Sequence, residues 1–152
     1  MDTRLSSAIH ALIMIAGADR PMTSDLIAQS VGTNPSHIRK ICGLLKKQGI
    51  IDSRQGVSGF TLLVEPKDLT LLSIYQAIND SEQVHVFDLH QNPNDECVVG
   101  RHILPVLTDV FRTIEDKAEQ ELRHTTLEDC MQKMRSEIER EGGHEGGSAE
   151  RV

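Results

Sequence analysis

The chain has 152 residues, a net charge of −7 and no tryptophan, which bounds it to one domain, or a small head with an extension, held by aliphatic helix packing. Cys42, Cys97 and Cys130 are too few and too scattered for a secreted disulfide framework, and no apolar run is long enough to span a bilayer, so a cytoplasmic setting is expected. The charge is uneven: residues 1–64 hold seven Lys/Arg against four acids, a net of +3, and the remainder holds nine against nineteen, a net of −10.

Such asymmetry suits a basic head that meets phosphate and an acidic body that does not. The basic excess is modest, which implies salt-sensitive binding with little non-specific grip. At the start, Leu5, Ala8, Ile9, Leu12 and Ala16 recur at helical spacing and predict an amphipathic helix from about Thr3 to Ala16. His10 on it reads as a packed or surface residue. Gly17 to Pro21 is a connector.

The stretch Thr23 to Leu63 then predicts a helix, a tight turn, a second helix and a glycine-tipped hairpin, the order of a winged helix-turn-helix. Thr23 and Ser24 are N-cap types, and Asp25 puts an acid in the first turn, where the helix dipole favours it. Leu26, Ile27 and Val31 give the first helix its inward face. Gly32 suits the left-handed helix end, and Asn34 followed by Pro35 is a second start signal. On the second helix Ile38, Ile41, Cys42 and Leu45 share one face, while Ser36, Lys40, Gly43 and Lys47 point the other way with His37 and Arg39 on the flanks. Small residues and cations on an exposed face fit a major groove, where side chains near the helix N-terminus reach base edges. A solvated amphipathic helix has the same pattern; the cap-turn-cap spacing followed by a hairpin favours DNA reading.

The hairpin is read as Ile50 to Arg54 and Phe60 to Val64, joined through Gly56 and Gly59. Arg54 sits at its tip, placed for a minor groove or a phosphate. As DNA-contacting residues the pattern therefore nominates Thr23, Ser24, Ser36, His37, Arg39, Lys40, Lys47 and Arg54.

Beyond the hairpin, Pro66 to Asp68 breaks the pattern, and Leu69, Leu72, Ile74, Tyr75 and Ile78 predict a short bridging helix with Tyr75 as a core anchor. Val84 to Leu89 reads as a strand. His90 to Glu96, with Asn92-Pro93-Asn94, reads as a polar turn. A long striped helix follows, with Val99, Ile103, Val106, Val110 and Ile114 on one face and Pro105 marking its first turn or a kink. Burial of that stripe against a second copy gives a two-fold homodimer; packing within the chain is the alternative. Thr126 starts a last helix with Asp129 at the capping-box position and Leu127, Met131, Met134 and Ile138 inward. From Glu141 the glycine-rich sequence reads as a disordered tail.

The expected architecture is mainly α with a small β-hairpin wing. It divides into a winged helix-turn-helix head at 1–64, a linking helix and effector-type loop at 65–97, dimerisation helices at 98–140 and a tail at 141–152. Two functions compete: a sequence-specific DNA-binding regulator, and a winged-helix module that binds an acidic protein partner instead. No histidine, cysteine and acid fall into a nucleophile-and-base arrangement, so an enzyme is not expected.

This arrangement resembles the Rrf-two family of bacterial winged-helix regulators. The resemblance rests on the Ser36–Leu45 helix, Gly49-Ile50-Ile51-Asp52-Ser53-Arg54, the wing Gly56-Val57-Ser58-Gly59-Phe60, the Leu69–Ile78 helix, Cys97-Val98-Val99-Gly100 and Thr126-Leu127. It runs to about Glu139, and departs at Ser58-Gly59, where the family usually has two glycines. It implies a homodimeric regulator, most often a repressor, on a near-palindromic operator, with an effector site in the loop before the dimer helix. Cluster-binding members place three cysteines in that loop, because a two-iron two-sulfur centre needs several thiolates. Only Cys97 is present here; the next position falls near His102–Ile103, and no third follows, so no such cluster is expected. Two other readings of the loop stay open. Cys97 is either a redox switch or a plain exposed thiol, and His85, His90, Cys97 and His102 either gather around a metal or are scattered surface groups.

Overall fold

Six helices and a two-stranded antiparallel sheet make up residues 2–145, the part of the chain that the computed structural model describes. They are α1 (Arg4–Gly17), α2 (Ser24–Val31), α3 (Pro35–Lys47), β1 (Ile51–Asp52), β2 (Thr61–Leu62), α4 (Leu71–Asn79), α5 (Val98–His124) and α6 (Leu127–Glu145), with a short 3-10 turn at Pro66–Asp68. The chain is mainly helical, with the hairpin as its wing.

Local chemistry sets the helix ends. The Thr23 hydroxyl accepts from Leu26 N at 3.3 Å and the Asn34 side chain from His37 N at 2.8 Å, each satisfying a donor that the first helical turn leaves unpaired. Between them Gly32 takes φ 79°, closing α2 in a left-handed turn. Apolar faces then meet. Ala8, Ala11 and Leu12 of α1, Ile27 of α2, and Ile38, Ile41, Cys42 and Leu45 of α3 are all buried in one core. Leu26, expected inward, is instead 46% exposed; it sits one residue off the buried pair Ile27 and Ala28, and a helix turns about 100° per residue.

The wing pairs Ile51 with Leu62 and Asp52 with Thr61. It is shorter than the residues 50–54 and 60–64 expected, because Phe60 leaves the ladder to bond Met22 instead, with Met22 N donating to Phe60 O at 3.0 Å and Phe60 N to Met22 O at 2.8 Å. Gly59 makes that departure possible. Its φ is +109°, and a Cβ there would lie 2.8 Å from backbone carbons of Pro21 and Met22, so only glycine lets the wing lie against the connector.

α4 is capped by Thr70, whose hydroxyl accepts from Ser73 N at 3.1 Å. It buries Leu72, Ile74, Ala77 and Ile78, and packs on α1, α3 and α5. Residues 84–89 form no strand. The expected ladder donors are taken by side chains instead: His85 N donates to the Tyr75 hydroxyl at 3.0 Å, and Val86 N and Phe87 N donate to Glu115 at 2.7 and 3.1 Å. Tyr75, expected as a core anchor, is half-buried and works through that hydroxyl. The Phe87 ring lies on Phe111, centroids 5.0 Å apart.

α5 runs 27 residues with Pro105 well inside it. One side rests on α4, and the stripe Val99, Val106, Val110 and Ile114 faces outward, exposed. α6 begins with a reciprocal capping box, Thr126 N to the Asp129 carboxylate at 2.8 Å and Asp129 N to the Thr126 hydroxyl at 3.2 Å. Its first residue, Leu127, is fully buried among the residues of the head. A bridge between Thr70 and Thr126 fixes the same point, with Leu71 N donating to Thr125 O at 2.9 Å and Leu127 N to Leu69 O at 2.8 Å. Met131 reaches the core, but Met134 and Ile138, expected inward, are 46% and 60% exposed, because α6 projects past the head within the single chain. The tail expected from residue 141 is helical to Glu145, continuing the backbone ladder of α6 through Gly142 and Gly143; residues 146–152 lie outside the described part.

Candidate nucleic-acid interface

Two caps, one glycine turn and the α1 core hold α2 and α3 in a helix-turn-helix, and this leaves one side of α3 free. Ser36, Arg39, Lys40, Gly43, Lys46 and Lys47 are exposed along it, while His37 is half-buried beside the turn. The Arg39 guanidinium donates to the Ser36 hydroxyl at 3.2 Å, which holds its fork over the first turn of α3. Among the described residues, no acid forms an ion pair with Arg39, Lys40, Lys46, Lys47 or Arg54; the pairs that occur use Arg4, His85, Arg112, Arg123, Arg135 and Arg140. Unpaired cations on one face are what a polyanion meets first.

Thr23 and Ser24 stand at the N-terminus of α2, where free N–H groups and the helix dipole favour phosphate, although Asp25 in the same turn opposes it. Thr23 spends its acceptor on Leu26 N and keeps its hydroxyl proton for another partner. Arg54 is exposed at the wing, its carbonyl accepting from Val57 N at 3.1 Å in the turn that Gly56 opens at φ 79°. Of the residues nominated from the sequence, Ser36, Arg39, Lys40 and Lys47 thus share one helix face, Thr23 and Ser24 start the helix before it, and Arg54 lies on the wing. Sequence reasoning missed Lys46. Its ammonium donates to the Ser53 hydroxyl at 2.7 Å and ties the end of α3 to the wing. Periodicity gives no sign of that contact, which depends on the Gly49 turn; only the doubled lysine hinted that either one had work to do.

The loop before α5 holds the other candidates. Cys97 is the exposed N-cap of α5, and the backbone N–H groups of Gly100 and Val99 hold its thiol below the usual range. By contrast, burial in the head core pushes Cys42 up to about 11. The His102 ring bonds the Val98 carbonyl at 2.8 Å, His90 is exposed, and His85 turns to Glu115 and Asp88. Among the described residues, no three His, Cys, Asp or Glu side chains gather closely enough to hold a metal ion. Of the other two thiols, Cys42 lies in the head core and Cys130 on α6, neither in the loop of Cys97.

A helix-turn-helix with a cationic outer face, a hairpin wing and a long helix after it define the class of winged helix-turn-helix transcriptional regulators. The chain belongs to the Rrf2 family, described as one of iron-dependent transcriptional regulators, which it matches over residues 1–133. It is 40% identical over 131 residues to YwnA of Bacillus subtilis (strain 168), provisionally described as an HTH-type transcriptional regulator, across 86% of this chain and 96% of that one. A solved structure provisionally described as a DNA binding protein is similar at TM-score 0.68 and 37% identity, over 84% of this chain and 98% of that one. CymR, the global cysteine regulator of B. subtilis, shares the fold at TM-score 0.62 and 19% identity, over 87% of this chain and 95% of that one. No described helix is long and apolar enough to cross a membrane.

Proposed function

We propose that this DNA-binding transcriptional regulator is a repressor that grips a near-palindromic operator as a homodimer and blocks access to it. One α3 per subunit enters a major groove, and the two wings reach the flanking backbone or minor groove. Ser36, His37, Arg39 and Lys40 read base edges, and Thr23, Ser24, Lys47 and Arg54 hold phosphate. The observation that carries this reading is the unpaired cationic face of α3, set opposite a buried apolar one. The dimer is supported by the exposed stripe of α5, since a soluble chain rarely leaves a row of valines and isoleucine to water.

Selection from random duplexes with the full chain should enrich one two-fold symmetric sequence. Arg39→Ala should then weaken binding to it by about 1–3 kcal/mol and relax the preference at one base pair per half-site, whereas Lys47→Ala should weaken all sequences alike. No enriched sequence, or an Arg39→Ala protein that binds unchanged in a gel-shift assay, counts against the assignment. In this reading the protein is not an enzyme and works without an iron–sulfur cluster, because Cys97 has no companion thiol in its loop. Protein prepared without oxygen should accordingly carry no acid-labile sulfide.

A further inference from the structure

Glu115 is a buried acid on α5, and the DNA-reading face makes no use of it. Its Oε1 accepts from Val86 N at 2.7 Å and Phe87 N at 3.1 Å, and it lies 3.4 Å from His85 Nδ1. The other ring nitrogen, His85 Nε2, lies 3.0 Å from Asp88 Oδ1. The backbone of the same histidine is gripped from α4: its N–H donates to the Tyr75 hydroxyl, which in turn donates to its carbonyl, both at 3.0 Å. One residue is thus tied through its backbone to α4 and through its ring to α5.

The ring contacts carry a chemical requirement. Ionised carboxylates only accept, and a neutral imidazole has a single N–H. With the His85 and Asp88 side chains open to water and Glu115 buried, both ring nitrogens donate directly to the facing carboxylates only in the imidazolium. On deprotonation one nitrogen presents a lone pair to a carboxylate, that contact is lost, and buried Glu115 is left without its nearest cation. The remaining charged groups nearby are already paired elsewhere. Arg112 is engaged with Asp116 at 3.0 Å, and Arg4 and Asp2, which line the adjoining cleft with Tyr75 and His85, pair with each other at 2.8 Å.

We propose that His85 is a proton-operated latch between α4 and α5, and that its release loosens the support of the recognition helix and lowers operator affinity. The path is short, since α4 packs directly on α3. The inference rests on the DNA-reading assignment above for its output, but the latch itself does not. The hydrogen bond to Asp88 and the charge of Glu115 both raise the His85 imidazole above its ordinary value. Burial pushes the Glu115 carboxyl up, yet the Val86 and Phe87 N–H groups with the charges of His85 and Arg112 outweigh it and hold it below the usual range, so it stays ionised near neutrality. The latch is therefore complete below the ordinary histidine value of about 6.5 and is lost as pH rises through the raised one.

The test has two readouts on the full-length protein. In the absence of DNA, amide exchange at Val86 and Phe87, corrected for intrinsic rates, should lose about fivefold protection between about pH 6 and 8 in the natural chain, and almost none in His85→Gln. Glu115→Gln keeps an acceptor for the backbone but removes the charge, and should flatten the response equally. At fixed salt, operator affinity should fall about fivefold more steeply over that range in the natural chain than in His85→Gln. Exchange that responds to pH identically in the natural chain and both variants overturns the latch. A responsive latch with equal affinity slopes overturns its link to DNA. A responsive latch in a protein that selects no sequence at any pH overturns the DNA reading and leaves the latch standing.

Discussion

Val110→Asp leaves the protein monomeric at micromolar concentration and lowers its affinity for a two-half-site operator by at least about a hundredfold. Val110 lies within the exposed stripe of α5 and is 44% exposed in the single chain. In a homodimer seam formed by this stripe, an aspartate there is pressed against the partner's apolar stripe, where an unpaired charge costs several kcal/mol. Each separated head then holds one half-site with a modest cationic excess, and the gain from tethering two sites is gone. Sedimentation and gel-shift titration measure the two effects, with far-ultraviolet dichroism as a check on folding. Were the stripe merely solvated, the change would be an ordinary surface substitution worth within about 0.5 kcal/mol, and both measurements would stay put.

Leu127→Ala should cost about 2–5 kcal/mol of folding stability in urea denaturation, a large share of the whole for a chain of this size. The residue is contributed by α6, yet it is fully buried among core residues of the head. Removing it leaves a cavity where α1, the 3-10 turn and α6 meet. Leu63→Ala is the comparison: Leu63 is 58% exposed, and its loss should change stability by less than about 0.5 kcal/mol. Equal losses at the two positions would mean that α6 is a loose appendage and not part of the head.

What could be read from the sequence was chemistry confined to a few neighbouring residues. Thr23, Gly32, Asn34 and Pro35 announce their helix ends because a cap bonds within three residues and a left-handed turn asks for glycine. The faces of α3 followed from its period, and so did the stripe of α5. Residues 84–89 were misread as a strand because Glu115 and Tyr75, which hold that segment, are distant in sequence and sit on two different helices. Lys46 escaped for the same reason, its partner Ser53 lying beyond a turn. Met134 and Ile138 carry a helical period, but a period does not say what covers a face, and here the head ends before α6 does.

The backbone bonds at Leu69–Leu71 and Thr125–Leu127 fasten the end of α5 to the head at the very point where the chain turns into α6. With the His85 latch closed, these bonds hold the end of α5 against the head, and the separation of the two reading helices in the proposed dimer becomes a ruler laid along the duplex. One base pair inserted at the operator's centre shifts a half-site by about 3.4 Å and swings it by roughly 34° around the axis. A stapled ruler has no slack to follow that swing. Spacer length then discriminates among promoters alongside the letters within each half-site.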